Sequence, residues 1–156
     1  MFSGHPGSTA LIEHAIQTPE GVVVRSGSRS WPHYLKETID KEVEEMLVLG
    51  VIEPSSCPWQ SYPVVVPKAD GEIRLCIDFR HLNEVSNFDA YPMPKIEDLL
   101  ERLGGAEYLT SLDLTKGYWQ IPLREGDREK TAFVTPKGLF HFLKMPYGLH
   151  GAAATF

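Results

Sequence analysis

The order in which helix-period and strand-period stretches follow one another is what most limits the fold of this chain. A helical stripe comes first: Leu35, Ile39, Val43, Met46 and Leu47 fall on one face, Pro32 suits the first turn, and Gly50 suits the position just past the last. Glu37, Asp40, Glu42, Glu44 and Glu45 fill the rest of that surface and read as a solvated face. Tyr62 to Val66 is then apolar and β-branched, Asp70-Gly71 is a hairpin signal, and Ile73 to Phe79 alternates so that Arg74 and Asp78 share one side of the returning strand. Pro94 suits the start of a second helix with Ile96, Leu99, Leu100 and Leu103 as its buried stripe, stopped by Gly104-Gly105. Tyr108 to Leu114 reads as a strand that ends near Asp113. A last hairpin joins Thr131–Val134 to Leu139–Leu143 through Thr135-Pro136-Lys137-Gly138, with proline second and glycine fourth as a type I turn prefers. Helix, hairpin, helix, strand, hairpin is an α+β order, not the βαβ alternation of a parallel sheet.

The 156 residues match one ordinary domain, and a net charge of −6 argues against a simple basic coat for nucleic acid. It does not exclude an enzyme that acts on nucleic acid, because the local sign of charge matters more than the sum. Cys57 and Cys76 lack any ligand spacing and read as reduced packing residues. No apolar run reaches the roughly 18 residues of a membrane helix. Residues 1–30 are rich in Gly, Ser and Thr, with Val22-Val23-Val24 as a short strand and Ser26 to Ser30 as linker. Apolar side chains within 117–156 look insufficiently covered, and a stop straight after Ala152-Ala153-Ala154-Thr155-Phe156 looks like a cut.

The stretch from Leu112 to Ile121 concentrates the chemistry. Asp113 sits inside an apolar run, and an unpaired carboxylate buried there needs a compensating partner, for which a metal ion is a candidate. The ordinary alternative is a structural Asp that caps the Thr115-Lys116 turn. Tyr118 follows five residues later. A flat ring beside a bound nucleoside triphosphate would lie under the sugar and clash with a 2′-hydroxyl; otherwise it is a core aromatic next to Trp119. Lys68 and Arg74 flank the Asp70-Gly71 turn and are placed to close over a triphosphate, or are ordinary exposed charges. Asp78 and Arg80 are near enough to pair, which makes Asp78 a weak second metal ligand. Trp59, Tyr118, Trp119 and Tyr147 have the shape to stack bases, though aromatics among Pro and Gly more often pack.

Six segments then resemble a known family in their order: Gly50-Val51-Ile52-Glu53-Pro54-Ser55, Val64 to Gly71, Arg74 to Asn83, Tyr91-Pro92-Met93-Pro94, Leu112 to Ile121, and Met145-Pro146-Tyr147-Gly148-Leu149. Together they are similar to reverse transcriptases of gypsy-type long-terminal-repeat retrotransposons, from about Leu11 to Phe156. The resemblance implies an α+β right-hand polymerase fold, truncated to the fingers subdomain and an incomplete palm. Residues 1–34 would be a connector, 35–88 and 122–150 fingers, and 89–121 with 151–156 palm. Asp113 would be the first catalytic Asp and a metal ligand, helped by the Leu114 backbone carbonyl. Lys68 and Arg74 would grip the dNTP, Tyr118 would be the sugar gate, and Tyr147-Gly148 would touch the incoming nucleotide and template. Two departures are Ala69, where the family has a second Lys, and Ala153, where it has Pro, which removes a φ restraint.

The implied reaction is primer extension with dNTPs by two-metal phosphoryl transfer, with Mg2+ as cofactor. The implied partners are an RNA or DNA template-primer and the remaining polymerase, RNase H and integrase portions of a polyprotein, with no membrane. A Tyr-x-Asp-Asp motif, thumb and RNase H are absent from these residues, so the chain alone is expected to be inactive. The alternatives are a non-catalytic retroelement remnant that binds nucleic acid or a partner weakly, and a truncated product without function.

Overall fold

In chain order the elements are α1 (His33–Val48), β1 (Ile52–Pro54), β2 (Tyr62–Pro67), β3 (Ile73–Asp78), α2 (Arg80–Val85), α3 (Ile96–Leu103), two 3-10 helices (Gly117–Gln120 and Glu125–Thr131), β4 (Phe133–Thr135), β5 (Gly138–Phe142) and α4 (Ala152–Thr155). The computed structural model describes residues 5–27, 31–67, 73–87 and 95–156. The Asp70-Gly71 turn and Tyr91-Pro92-Met93-Pro94 lie outside the described residues.

Helix α1 ends as its sequence dictates. Gly50 takes φ +64°, in the left-handed region that glycine enters without a Cβ clash. Its N–H donates to Leu47 O and the Val51 N–H to Met46 O, each at 3.0 Å, the paired bonds of a Schellman motif. Ile39, Val43 and Met46 are buried, while Leu47 sits at the margin of the stripe and is exposed.

Strands β1, β5 and β4 form one antiparallel sheet in that spatial order, with Ile52 opposite Phe142 and Phe133 opposite Phe140. The turn between β4 and β5 is Pro136-Lys137, and the Thr135 hydroxyl accepts the Lys137 N–H at 3.2 Å. Thr131, expected to open β4, ends the second 3-10 helix, and its hydroxyl donates to Arg128 O at 2.7 Å. Strands β2 and β3 pair separately, with Val66 opposite Arg74 and Tyr62 opposite Asp78, so the shared side expected for Arg74 and Asp78 is present. Ser61 links the two sheets: its N–H donates to Ala132 O at 2.7 Å.

The core lies between α1, α2 and the three-stranded sheet. Phe133 packs on Phe142 with the rings tilted by 37° and 5.2 Å between centroids, and Phe79 meets Phe142 edge-on at 6.3 Å. Phe133 is fully buried, so Phe133→Ala is expected to lower stability by about 3–5 kcal/mol. Urea unfolding followed by circular dichroism checks this; a loss below about 1 kcal/mol would show that the sheet is not the centre of the fold.

Two expectations fail here, both about cover. The apolar side chains of 117–156 are largely enclosed, Ile121, Leu123, Phe140, Phe142 and Met145 among them. The uncovered surface lies earlier. Helix α3 forms, but Ile96, Leu99, Leu100 and Leu103 are all exposed, and so are Tyr108, Leu109, Leu112 and Leu114. Residues 108–114 form no strand, because a strand needs a neighbouring backbone to pair with and none of the described residues provides one. Val22 to Val24 likewise forms no strand, although Arg25 makes an isolated bridge to Gln60.

Residues 5–27 run against the core. Thr9 N–H donates to Gln120 O (2.8 Å), His14 N–H to Pro122 O (2.9 Å), and Arg124 N–H to His14 O (2.9 Å). The buried Asp127 secures the same segment. One carboxylate oxygen accepts the Ile16 N–H at 3.1 Å and Arg124 at 2.7 Å, and the other accepts Lys130 at 2.7 Å. Lys130 also donates to Ile16 O at 2.6 Å.

Candidate active site

Asp113 is exposed and stands in the irregular stretch, outside any strand, between α3 and the first 3-10 helix. The buried carboxylate expected from its apolar neighbours is therefore not observed: Leu112 and Leu114 are exposed with it, at 82% and 57%. The stretch joins the folded core at Lys116, which takes the left-handed conformation (φ 50°, ψ 47°). A side chain in that region is uncommon and needs outside support. Lys116 Nζ lies 2.6 Å from a Glu45 carboxylate oxygen on α1 and 4.8 Å over the Trp119 ring, and Gln120 Nε2 donates to Thr115 O at 3.0 Å.

The 3-10 turn that follows presents Tyr118. Its ring stacks on Tyr147 at 5.0 Å and 24°, and Phe156 lies against it at 5.2 Å. Gly117 leaves room for Phe156: a Cβ there would stand 2.9 Å from two atoms of the ring. Trp119 approaches Tyr147 at 6.4 Å. Trp59, grouped with these aromatics on sequence, is instead buried in the core.

The Tyr147 side of the cluster is held by Asn83 of α2. Asn83 Nδ2 donates to Gly148 O at 2.8 Å, and Asn83 Oδ1 accepts the His150 N–H at 2.9 Å. Gly148 has φ +92°, which a larger residue would adopt only with strain. The fold thus brings Tyr118, Tyr147 and Gly148 to one place. Arg74 is exposed on β3, opposite Val66 on the two-stranded ribbon, and Lys68 lies outside the described residues.

Asp78 is engaged by Arg80 as expected: Arg80 donates through Nε and Nη2 to its carboxylate, at 2.6 Å for the shorter ion-pair contact. The hydrogen bonds from Arg80 hold the Asp78 carboxyl down to about 2. Among the described residues, no group of three or more His, Cys, Asp or Glu side chains is placed to hold a metal ion. Asp113 and the Leu114 carbonyl would offer Mg2+ two oxygen ligands, and the rest of its near-octahedral shell would have to come from water, substrate phosphate or further carboxylates.

The family model described as reverse transcriptase (RNA-dependent DNA polymerase) matches residues 66–156, which include Arg74, Asp113, Tyr118, Tyr147 and Gly148. This chain belongs to the reverse transcriptase family. The retrovirus-related Pol polyprotein from transposon opus of Drosophila melanogaster is 37% identical over 160 residues, covering 99% of this chain and 16% of the polyprotein. That from transposon gypsy of the same organism is 42% identical over 137 residues, covering 83% and 13%. This reverse transcriptase chain thus spans a small fraction of the length of its curated relatives. Prototype foamy virus protease-reverse transcriptase has the same fold at TM-score 0.85 and 24% identity, covering 98% of this chain and 21% of that one. The foamy viral enzyme in complex with RNA/DNA hybrid also matches, at TM-score 0.78 and 18% identity over 97% of this chain and 20% of that one. The fold is therefore that of one part of a reverse transcriptase.

Within this reverse transcriptase fold, Asn83 and Phe156 hold the candidate site together, and Asp127 ties residues 5–27 to the core; none of the three is singled out for such a role by the sequence. Asn83 and Phe156 carry no local signal, because their partners are distant in the chain. Asp127 had one: Arg124, Asp127 and Lys130 recur at three-residue spacing, which puts them on one face of a tight helix.

Proposed function

We propose that this chain is the fingers and first palm portion of an RNA-directed DNA polymerase that extends a primer with dNTPs. The observation that carries the reading is the Tyr118–Tyr147 stack, built within the family match just past the segment that bears Asp113. Residues 35–88 and 122–150 are assigned to the fingers, 89–121 and 151–156 to the palm, and 1–34 to the connection before it. Asp113 is the catalytic carboxylate, with the Leu114 carbonyl beside it. Tyr118 lies under the sugar, Tyr147 and Gly148 face the nucleotide and template, and Lys68 and Arg74 close over the triphosphate. Exposure suits these roles: Asp113, Arg74 and Tyr147 are all open to solvent and so reachable by a ligand.

The exposed apolar side chains of α3 and residues 108–114 support the same reading, since a face of that size on a finished domain is uncommon and more palm would cover it. The partner is a template-primer, as the complex of the foamy viral enzyme with RNA/DNA hybrid suggests for a chain of this fold.

Primer extension tests the proposal. A polypeptide that continues these residues through the parent reading frame is expected to copy an RNA template, and residues 1–156 alone are expected to yield no extended primer. No synthesis by the longer protein, or Asp113-dependent synthesis by the short one, overturns the reading. In the longer protein, Tyr118→Val is expected to raise ribonucleotide incorporation relative to deoxyribonucleotide by roughly 10- to 100-fold, the range in which a pocket discriminates one small group. An unchanged ratio in single-nucleotide incorporation would remove Tyr118 from the sugar's path.

A further inference from the structure

We propose that residues 8–16 are a brace that positions the Tyr118 ring, with His14 as its positioning residue. The proposal rests on the reading of Tyr118 as a nucleotide-facing residue. Its support is that two walls around Tyr118 are tied to this one segment.

The first wall is the 3-10 helix that carries Tyr118. Its last residue, Gln120, receives the Thr9 N–H through its carbonyl at 2.8 Å, and Gln120 in turn donates to Thr115 O at 3.0 Å. Just beyond it, His14 pairs with the chain on both backbone groups: N–H to Pro122 O and O from Arg124 N–H, both at 2.9 Å. The turn is thereby pinned at its exit, and Ile121 is fixed in the core.

The second wall is Phe156, at the end of α4. The His14 side chain is 3% exposed, and its Nδ1 lies 2.8 Å from Thr155 Oγ1. Helix α4 (Ala152–Thr155) buries Ala152 in the core and meets the His14 ring through Thr155. The His14–Thr155 contact gives it an anchor in the core, and Phe156 then packs on both Tyr118 and Gly117. Further along, Asp127 grips Ile16, which keeps the brace from sliding. A histidine that only filled space would do as well as leucine; here its ring nitrogen meets the hydroxyl one residue before Phe156.

The test is nuclear magnetic resonance of the 156-residue chain labelled with 13C-tyrosine, with the Tyr118 ring signal assigned by its loss in Tyr118→Phe. Thr155→Val keeps the side-chain shape and removes the hydroxyl. It and His14→Leu are both expected to move the Tyr118 signal and to speed exchange of the Ile121 amide, which bonds to Tyr118 O, about tenfold. Exchange at Phe142 in β5 stays unchanged, and His14→Gln recovers part of the original signal. If the Tyr118 signal is unmoved in Thr155→Val, or if Ile121 and Phe142 exchange faster by the same factor, the brace is overturned. Nucleotide separates the layers: if the signal moves in Thr155→Val, but in a polypeptide continued through the parent reading frame dTTP with template-primer and Mg2+ leaves it unmoved, the brace stands and the nucleotide-facing role is removed.

Discussion

Replacing Asp127 by alanine is expected to destabilise the protein by about 3–5 kcal/mol and to release residues 5–27 from the core. The carboxylate is 2% exposed and receives Arg124, Lys130 and the Ile16 N–H. Removing it leaves Lys130, itself mostly buried, without its counter-charge, and leaves the Ile16 N–H unsatisfied. Chemical unfolding measures the loss. Limited proteolysis measures the release, which appears as faster cleavage before Gln17. A variant that unfolds with the parent and resists protease would show that the node contributes nothing.

The same carboxylate makes stability depend on pH. Burial by itself would raise its pKa, but the hydrogen bonds from Lys130, Arg124 and the Ile16 N–H outweigh burial and hold it below the ordinary value. A folded-state pKa below the unfolded one, which is about 3.9, means the native state gives up its proton more readily. The contribution is therefore fully present above about pH 5 and is lost as acid titrates the group through its lower native value. Asp78, held down by Arg80, acts in the same direction from a largely exposed pair, so its share is small. Unfolding midpoints at pH 7, 5 and 3 are expected to fall more steeply for the parent than for Asp127→Asn. Parallel slopes would remove Asp127 as the source.

Asp113→Asn in a protein extended through the parent reading frame is expected to cut DNA synthesis by roughly 10²- to 10³-fold or more, the scale of losing one preorganised electrostatic group at a reacting centre. Thermal stability is expected to stay within about 0.5 kcal/mol of the parent, because the side chain is exposed and its neighbours Leu112 and Leu114 are exposed too. The pairing of a large kinetic effect with a negligible thermodynamic one separates a catalytic carboxylate from one that only caps the Thr115-Lys116 turn. A capping Asp would lower stability and leave synthesis largely intact. Primer extension together with calorimetry on the same preparation decides between them.

Features that residues settle with their near neighbours could be read directly from the chain. Gly50 ends α1 because its own left-handed φ and two bonds back into the helix suffice. The β4–β5 hairpin follows from Pro136 and Gly138, the β2–β3 pairing from alternation, and the Asp78–Arg80 pair from a spacing of two. The ordered motifs, from Gly50 to Leu149, were enough to point to the polymerase family.

Position in space was another matter. The periodicity of α3 identifies its apolar stripe but not whether anything covers it, and residues 108–114 form no strand without a partner backbone among the described residues. The apolar sequence neighbours of Asp113 predict burial, yet burial is set by what packs against a segment from outside, and Asp113 is exposed. The Tyr118–Tyr147 stack, the Asn83 clamp on Gly148 and the grip of Asp127 on Ile16 all join residues far apart in the chain. Local composition determines which elements form and which residues carry reactive groups. Only the tertiary fold decides which of those groups meet, because closing long loops depends on the whole core and not on any one segment.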